Sequence, residues 1–192
     1  MPTPRISVEE YLALDRVAEI KSEYHDGEMF PQVAVSWEHG VISVNIGALL
    51  RDRLAKTSCR VTSTVRVRVS PTAFVLPDVI VVCGKPALMD EHHDTLTNPK
   101  VIVEILSPST ADYDYGQKFI LYRNLESFEE YILIAQDKAR IEVFHKTAEN
   151  RWLITTYEGL EAEAAIESLG ISFRLAEVYD GVELPASSTS YS

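Results

Sequence analysis

The sequence predicts an α+β fold, and three patterns indicate it. Residues 101–106 form an almost unbroken apolar run, typical of a central strand covered on both faces. Residues 61–69 alternate between apolar and polar side chains as a single strand does, whereas apolar residues between 42 and 54 recur at helical spacing. Because no repeat or low-complexity linker interrupts the chain, residues 1–184 are expected to form one domain and residues 185–192 a flexible C-terminal tail.

The N-terminal elements are predicted by their caps and turns. Ser7 is a candidate N-cap for a short first helix, and Ser36 is one for a longer second helix. Between them, residues 21–30 are typical of a hairpin that turns at Asp26-Gly27. The fold is therefore expected to begin with a helix, a β-hairpin and a second helix.

The rest of the chain is predicted to be rich in strands. A third helix is expected to be capped by Asp112 or Asp114 and to run to about Leu125. The remaining expected strands are 74–83, the hairpin 131–135 with 140–144, and 151–157. These patterns add N-terminal and C-terminal β-hairpins to a central sheet.

Composition excludes several classes of protein. The 192 residues carry a net charge of −11, which argues against a protein that coats nucleic acid or an anionic membrane through its overall field. No apolar run approaches the roughly 18 to 20 residues of a membrane span, and the first residues show no secretory pattern. Cys59 and Cys83 are too few for a disulfide scaffold and are interpreted as small buried hydrophobes. The expected location is the reducing cytoplasm.

Two acidic residues interrupt the most apolar strands and are the strongest candidates for chemistry. Glu104 stands in the middle of the run 101–106, where a carboxylate must be paired, protonated or bound to a metal ion, unless it lies at an exposed sheet end or pairs with a core arginine. Pro77-Asp78 interrupts the other apolar strand. If the strands are neighbours, the two carboxylates converge and suit Mg²⁺, with a backbone carbonyl as a further ligand. Lys118 would complete a site for phosphodiester hydrolysis, unless it is an ordinary solvated lysine.

These residues and others resemble a known family along nearly the whole chain. The most specific piece is Val-Glu-Ile-Leu-Ser-Pro-Ser-Thr at 103–110. The matching pieces are, in chain order, residues 7–12, residues 23–28, Ser36 with His39, residues 76–79, residues 103–110, Asp114 with Lys118 and Tyr122, and residues 130–131. Together they resemble the Uma-type restriction endonucleases of the PD-(D/E)XK nuclease superfamily.

The resemblance implies a restriction-endonuclease-like mixed β-sheet flanked by helices and a Mg²⁺-dependent endodeoxyribonuclease, with Mn²⁺ as a substitute ion. It assigns metal binding to Asp78, Glu104 and the Ile105 carbonyl. The superfamily pattern has its lysine two positions after the acid, where this chain has Leu106. The family resembled here supplies the lysine from the following helix, and by its place on that helix Lys118 is inferred to take the catalytic role.

Further acids and histidines are candidates for the same site. The superfamily often carries an additional N-terminal acid, for which Glu23 matches better than Glu38, although a solvent-facing hairpin glutamate fits Glu23 equally well. His39 either approaches the site or bonds to backbone at the helix start. His92-His93 could suggest zinc, but no third ligand stands at a diagnostic spacing, so this segment is interpreted as a solvated loop.

A basic segment suggests a DNA-binding surface. Residues 51–68 hold six basic residues against one acidic residue, and Arg66 and Arg68 are expected on one strand face as a row that contacts phosphates. The same segment could instead pair with the acidic C-terminal third, across a subunit interface. The leading hypothesis is a homodimeric nuclease acting on DNA. A non-catalytic DNA- or protein-binding module is the first alternative, and a glycosidase with paired carboxylates is the second.

Overall fold

The computed structural model describes residues 5–32, 34–108 and 110–185 and confirms the α+β class. Its helices are α1 (Val8–Val17), α2 (Trp37–Arg53), α3 (residues 111–122) and α4 (Leu175–Val178), with a 3₁₀ turn at Glu167–Leu169. Its strands are β1 (Ser22–His25), β2 (Glu28–Pro31), β3 (Cys59–Thr62), β4 (Arg66–Ser70), β5 (Ala73–Val75), β6 (Val79–Cys83), β7 (Thr95–Leu96), β8 (Val101–Leu106), β9 (Glu130–Ala135), β10 (Arg140–Lys146), β11 (Trp152–Glu158), β12 (Glu163–Ile166) and β13 (Ile171–Arg174).

The strands form two larger sheets and one two-stranded ribbon. The six-stranded sheet has the order β11-β10-β9-β8-β6-β3, and within it β8 pairs parallel with β9 and antiparallel with β6. The five-stranded sheet has the order β2-β1-β5-β4-β7, and β12 pairs with β13. The expected N-terminal hairpin is β1 with β2, and a C-terminal hairpin is β12 with β13.

Strand β8 is central and covered on both faces, as its apolar run predicts. Successive side chains of a strand point to opposite faces of a sheet. Val101, Val103 and Ile105 pack in one core cluster with α2, whereas Ile102 packs in the other cluster with Tyr122 of α3. Helix α3 and the five-stranded sheet therefore cover one face of the six-stranded sheet, and α2 covers the other.

The predicted local signals at the N-terminus are confirmed. The Ser7 hydroxyl accepts the Glu10 N–H at 3.2 Å, and the Glu10 carboxylate accepts the Ser7 N–H at 2.7 Å, which completes a capping box for α1. Ser36 caps α2 in the same way as Ser7, through the His39 N–H. The turn between β1 and β2 has positive φ angles at Asp26 (47°) and Gly27 (97°), which explains why this dipeptide occurs there.

Two strands predicted as single elements are each divided between the two sheets. The alternating run 61–69 breaks at Thr64, whose φ is 58°, so that β3 belongs to the six-stranded sheet and β4 to the five-stranded one. The run 74–83 breaks at residues 76–78, with β5 and β6 again in different sheets. The single-strand predictions are wrong because period-two alternation continues through a bend and does not report which sheet each half joins.

Helix α3 begins earlier than predicted and contains a π-helical turn. Its N-cap is Thr110, so neither Asp112 nor Asp114 caps it, and both lie inside the helix. The π-helical segment is Asp114–Lys118, between short α-helical segments at Ala111–Tyr113 and Phe119–Tyr122. Such turns are frequent at functional sites.

The interpretation of the cysteines as free buried thiols is wrong. Cys59 and Cys83 form a disulfide, and both are only half-buried. They are direct cross-strand partners on β3 and β6, which places their side chains on the same face of the sheet. The pair therefore gives no support to a reducing compartment. No helix in the described part of the chain is long and apolar enough to cross a membrane. Of the predicted tail, residues 186–192 lie outside the described residues.

Candidate active site

The register between β6 and β8 brings the two predicted acids together. Val79 pairs with Val103, and the same antiparallel register continued by one residue places Asp78 opposite Glu104 on one face of the sheet. The Asp78 carboxylate bonds directly to β8, because its Oδ2 accepts the Ile105 N–H at 2.8 Å. The proline-interrupted start of β6 thus holds one acid beside the other.

Glu104 is buried and bonded to helix α3. Its side chain shares the sheet face of Ile102, against which α3 packs. Lys118 Nζ donates to Glu104 Oε1 at 3.0 Å, and the Tyr122 hydroxyl donates to the same oxygen at 2.7 Å. Only 2% of the Glu104 surface is exposed, so the alternative of an exposed sheet end is excluded. Its cationic partner is a lysine from the following helix and not a core arginine.

Lys118 lies among three carboxylates. Its Nζ is 3.0 Å from Glu104 Oε1, 3.2 Å from Glu23 Oε1 and 3.4 Å from Asp114 Oδ1. The residue is 7% exposed, so the interpretation of Lys118 as an ordinary solvated lysine is wrong. Glu23 comes from β1 and the five-stranded sheet, which means that this single ammonium group links elements of both sheets.

Glu23 is anchored in the site and does not face solvent. Its Oε1 accepts the Leu76 N–H at 3.0 Å, and the Tyr113 hydroxyl donates to its Oε2 at 3.1 Å. Of the two N-terminal acids considered, Glu23 and Glu38, it is Glu23 that reaches Lys118.

His39 joins the site through Asp78. Its Nε2 is 2.9 Å from Asp78 Oδ1, and the imidazole is almost entirely buried. The cap formed by Ser36 starts α2 at the position that directs the ring of His39 to this carboxylate. Of the two alternatives for His39, the side chain therefore takes the one that approaches the site.

The site holds more carboxyl groups than cations, and burial shifts the pKa values of these carboxyl groups. The carboxylates of Glu23, Glu104 and Asp114 surround one ammonium group, and Asp78 adds a fourth carboxylate whose charge acts on Glu104. Burial raises the pKa of Glu104 well above its usual range, although Lys118 opposes the shift. Burial also raises the pKa of Asp114 against the opposing charge of Lys118. A bound cation would favour the charged forms of these carboxyl groups and lower their pKa values.

The lysine remains charged in this surrounding. Burial by itself would lower the pKa of Lys118, but the neighbouring charges of Glu104 and Glu23 outweigh it and raise this pKa well above that of a free lysine. Lys118 is consequently an ammonium group at neutral pH, suited to donate hydrogen bonds and to stabilise negative charge but not to accept a proton.

The predicted phosphate-contacting row is not formed by Arg66. Arg66 is 4% exposed, and its guanidinium forms an ion pair with the buried carboxylate of Asp15. It also donates to the Tyr11 hydroxyl at 3.0 Å and to Thr95 Oγ1 at 2.9 Å. The prediction that Arg66 contacts DNA is therefore wrong, and Arg66 instead has a structural role, in which it bonds Asp15 and Tyr11 of α1. Arg68 is half-buried and donates to the Ser70 carbonyl at 3.3 Å, and its contact with DNA stays a prediction.

Three further residues complete the site, and sequence reasoning gave none of them a role in it. They are Tyr113, Asp114 and Tyr122. Asp114 and Tyr122 lie four residues before and four residues after Lys118 on α3 and contact the same cluster, and Tyr113 donates a hydrogen bond to Glu23. The signal that could have found Asp114 and Tyr122 is this spacing around the lysine. Within the described residues, no group of three or more His, Cys, Asp or Glu side chains is arranged to hold a metal ion, and this includes the loop with His92-His93.

Comparisons with known proteins give a family for this chain and a solved structure of the same fold. The model of the Uma2 family, described as "Putative restriction endonuclease", matches residues 8–176. Two proteins of Synechocystis sp. are 32% identical to this chain: "Uncharacterized protein slr1290" (94% of this chain and 95% of the relative covered) and "Uncharacterized protein sll1609" (84% and 92%). A crystal structure of a protein from Anabaena variabilis, described as a putative nuclease belonging to DUF820, superposes with a TM-score of 0.73. It covers 91% of this chain and 97% of its own at 16% identity, which shows the same fold.

Proposed function

The chain belongs to the Uma2 family, whose description is "Putative restriction endonuclease", and from this premise we propose that it is a Mg²⁺-dependent endodeoxyribonuclease. The observation that carries the proposal is the placement of Lys118 at 3.0 Å from Glu104, on the sheet face that Asp78 shares. An acid pair with a lysine beside it suits phosphodiester hydrolysis, since negative charge develops on the phosphate in the transition state and a cation stabilises it.

The donor set suits Mg²⁺. Asp78 and Glu104 supply hard carboxylate oxygens, and the Ile105 carbonyl is the third candidate ligand. Two carboxylates are sufficient because Mg²⁺ retains several waters and takes phosphate oxygens of the substrate, so a site with three protein side chains is not required. When bound, Mg²⁺ or Mn²⁺ supplies Lewis-acid stabilisation of the phosphodiester.

The side chains of the site have separate roles in the proposed hydrolysis. In hydrolysis a water oxygen forms a bond to phosphorus and gives up one proton, one P–O bond breaks, and the leaving oxygen takes up one proton. Lys118, as an ammonium group, orients the attacking water and stabilises the charge on the phosphate. Asp114 and Glu23 hold Lys118 in place. His39 holds Asp78, and it therefore acts as a positioning residue.

A plasmid-nicking assay with Mg²⁺ and Mn²⁺ tests the proposal. We expect metal-dependent nicking by the wild type and a loss of at least about 100-fold in rate for Lys118→Met, because its charge acts in the transition state. Lys85→Met, at an exposed loop beyond the opposite end of β6, is the matched control and should retain the wild-type rate. Full activity in Lys118→Met would refute the mechanism.

Metal binding has a separate readout. Added Mg²⁺ or Mn²⁺ should raise the melting temperature of the wild type, since a ligand that binds only the folded state stabilises it. Glu104→Gln should abolish this rise. An unchanged rise in Glu104→Gln would remove Glu104 from the metal site, whatever the nicking assay shows.

A non-catalytic module that retains the nuclease fold is the second candidate. The observation that favours it is the engagement of Lys118 by three carboxylates. It predicts DNA or protein binding without any metal-dependent rise in melting temperature. A glycosidase gains nothing from a lysine between its carboxylates, and the position of Lys118 argues against it.

The partners follow from the proposed reaction. DNA is the proposed substrate and the cytoplasm is the proposed compartment. A homodimer is proposed because a nuclease of this size that cuts both strands of a duplex usually needs two sites. Arg68 is the remaining candidate for a phosphate contact.

A further inference from the structure

Strand β11 forms an open edge of the six-stranded sheet. It pairs with β10 on one side, and no strand in the described part of the chain pairs with its other side. The strand is seven residues long, Trp152–Glu158. Its outer side therefore presents a row of backbone N–H and C=O groups that can pair with another strand.

The other edges of the two large sheets carry features that discourage such pairing, and β11 does not. Strand β3 has four residues and an exposed arginine, Arg60, and β7 has only two residues. Strand β2 begins with Glu28 and ends with Pro31. Short length, charge and proline are the usual protection of an edge.

The sequence of β11 is Trp-Leu-Ile-Thr-Thr-Tyr-Glu, which contains no proline, glycine or basic residue and only one charge, at its end. Its residues are aromatic, β-branched or aliphatic, apart from that glutamate, and such residues are favoured in strands. Leu153 and Ile154 are 54% and 55% exposed. An apolar strand of high β-propensity at an unprotected edge indicates a surface that is covered in solution.

We propose that β11 pairs antiparallel with β11 of a second copy of this chain, about a two-fold axis at Thr155, so that one sheet continues through both copies. A two-fold interface requires a surface that is complementary to itself. In this register Leu153 faces Tyr157 of the other copy, Ile154 faces Thr156, and Thr155 faces its own equivalent. These are aliphatic–aromatic, β-branched and Thr–Thr pairs, which stabilise antiparallel strands, and no like charges oppose each other.

The proposed interface is separate from the catalytic cluster. Glu104 lies on β8, three strands away from β11 in the order of the sheet, which corresponds to about 14 Å at the usual spacing of strands. The two sites would therefore stay open in the dimer. Because the proposal concerns assembly alone, its outcome is distinguishable from that of the nuclease proposal.

Sedimentation velocity of the full chain across a range of concentrations tests the proposal with two oppositely charged variants. We expect a wild-type dimer, and at least a tenfold weaker dimer for Ile154→Lys/Thr156→Lys and for Ile154→Glu/Thr156→Glu, because each places like charges opposite one another in both symmetry-related pairs. An equimolar mixture of the two variants should recover the dimer, since the opposing charges then attract. Circular dichroism establishes that each variant is folded.

The control is Val17→Lys/Ile20→Lys, which adds the same charge at two other exposed apolar residues and should leave the dimer unchanged. A monomeric wild type would overturn the proposal. So would a dimer that persists in Ile154→Lys/Thr156→Lys, because the interface would then lie elsewhere, for example at the exposed apolar face of α2 around Trp37. Failure of the mixed variants to associate would overturn the proposed register.

Discussion

Removal of the ammonium group of Lys118 should destabilise the metal-free protein strongly. The Nζ atom is within 3.4 Å of three carboxylates, on Glu104, Glu23 and Asp114. All four residues are at least nine-tenths buried. Lys118→Met retains length and helix propensity, so the change isolates the loss of charge. The variant leaves buried carboxylates next to one another without their cation.

The magnitude follows from the burial of the pair. Loss of one partner of a buried ion pair costs about 3 to 5 kcal/mol, because the remaining charge is left uncompensated. With a denaturant dependence of about 2 kcal/mol per molar urea, the unfolding midpoint of Lys118→Met should fall by about 1.5 to 2.5 M.

The loss should depend on pH with a defined sign. The folded-state pKa of Glu104 is raised above its ordinary value of 4.5. The stabilising contribution of Glu104 to the free energy of unfolding is therefore fully present below pH 4.5 and is lost as the pH rises through the folded-state pKa. Lys118 lowers this pKa, and its removal raises it further. In both proteins the free energy of unfolding should fall as the pH rises above 4.5. It should level off at the wild-type folded pKa of Glu104, whereas in Lys118→Met it should continue to fall up to the higher folded pKa, by up to about 1.36 kcal/mol per pH unit for each proton retained.

Urea unfolding followed by circular dichroism at several pH values between about 5 and 8 measures both effects. The control is Glu104→Gln/Lys118→Met, which removes both charges of the closest pair and should recover part of the stability lost in Lys118→Met, since a neutral pair has no uncompensated charge. A Lys118→Met protein within about 0.5 kcal/mol of the wild type at all pH values would refute the buried cluster as described.

Two further predictions concern the residues around the site and the core. His39→Ala should weaken Mn²⁺ binding about 10- to 100-fold in calorimetry, since loss of a residue that orients a metal ligand reduces metal affinity by this factor. His39→Gln should restore part of the affinity. An Mn²⁺ affinity of His39→Ala equal to that of the wild type would show that His39 does not position Asp78. Arg66→Ala should lower the free energy of unfolding by about 3 to 5 kcal/mol, because the buried carboxylate of Asp15 then has no cationic partner. Arg68→Ala should lower it by only about 1 kcal/mol. Weaker DNA binding without destabilisation in Arg66→Ala would contradict the structural role of Arg66.

Local interactions are what the sequence could predict. Local features depend on side chains within a few residues, so they can be predicted without knowledge of the rest of the fold. Examples are the caps at Ser7 and Ser36 and the turn at Asp26-Gly27. The same holds for β8, whose apolar run predicts burial on both faces. Glu104 was detectable because a charge inside such a run requires a partner.

Which residue pairs with Glu104 depends on the tertiary structure. Lys118 meets Glu104 because α3 packs on the sheet face to which Glu104 points, and Glu23 joins them because the second sheet lies over that face. No spacing in the chain encodes the contact between Glu23 and Lys118.

The amino-acid sequence alone is enough to identify the alternating segments, the apolar segments and the positions of local caps and turns. The tertiary structure decided where the alternating run 61–69 divides at Thr64, that Cys59 faces Cys83, and that Arg66 is enclosed beneath α1. Periodicity reports which side of a strand is buried, whereas the identity of the neighbour depends on how distant segments fold together. The site is built almost entirely from such distant contacts, and for that reason its acids could be proposed from the sequence while their arrangement could not.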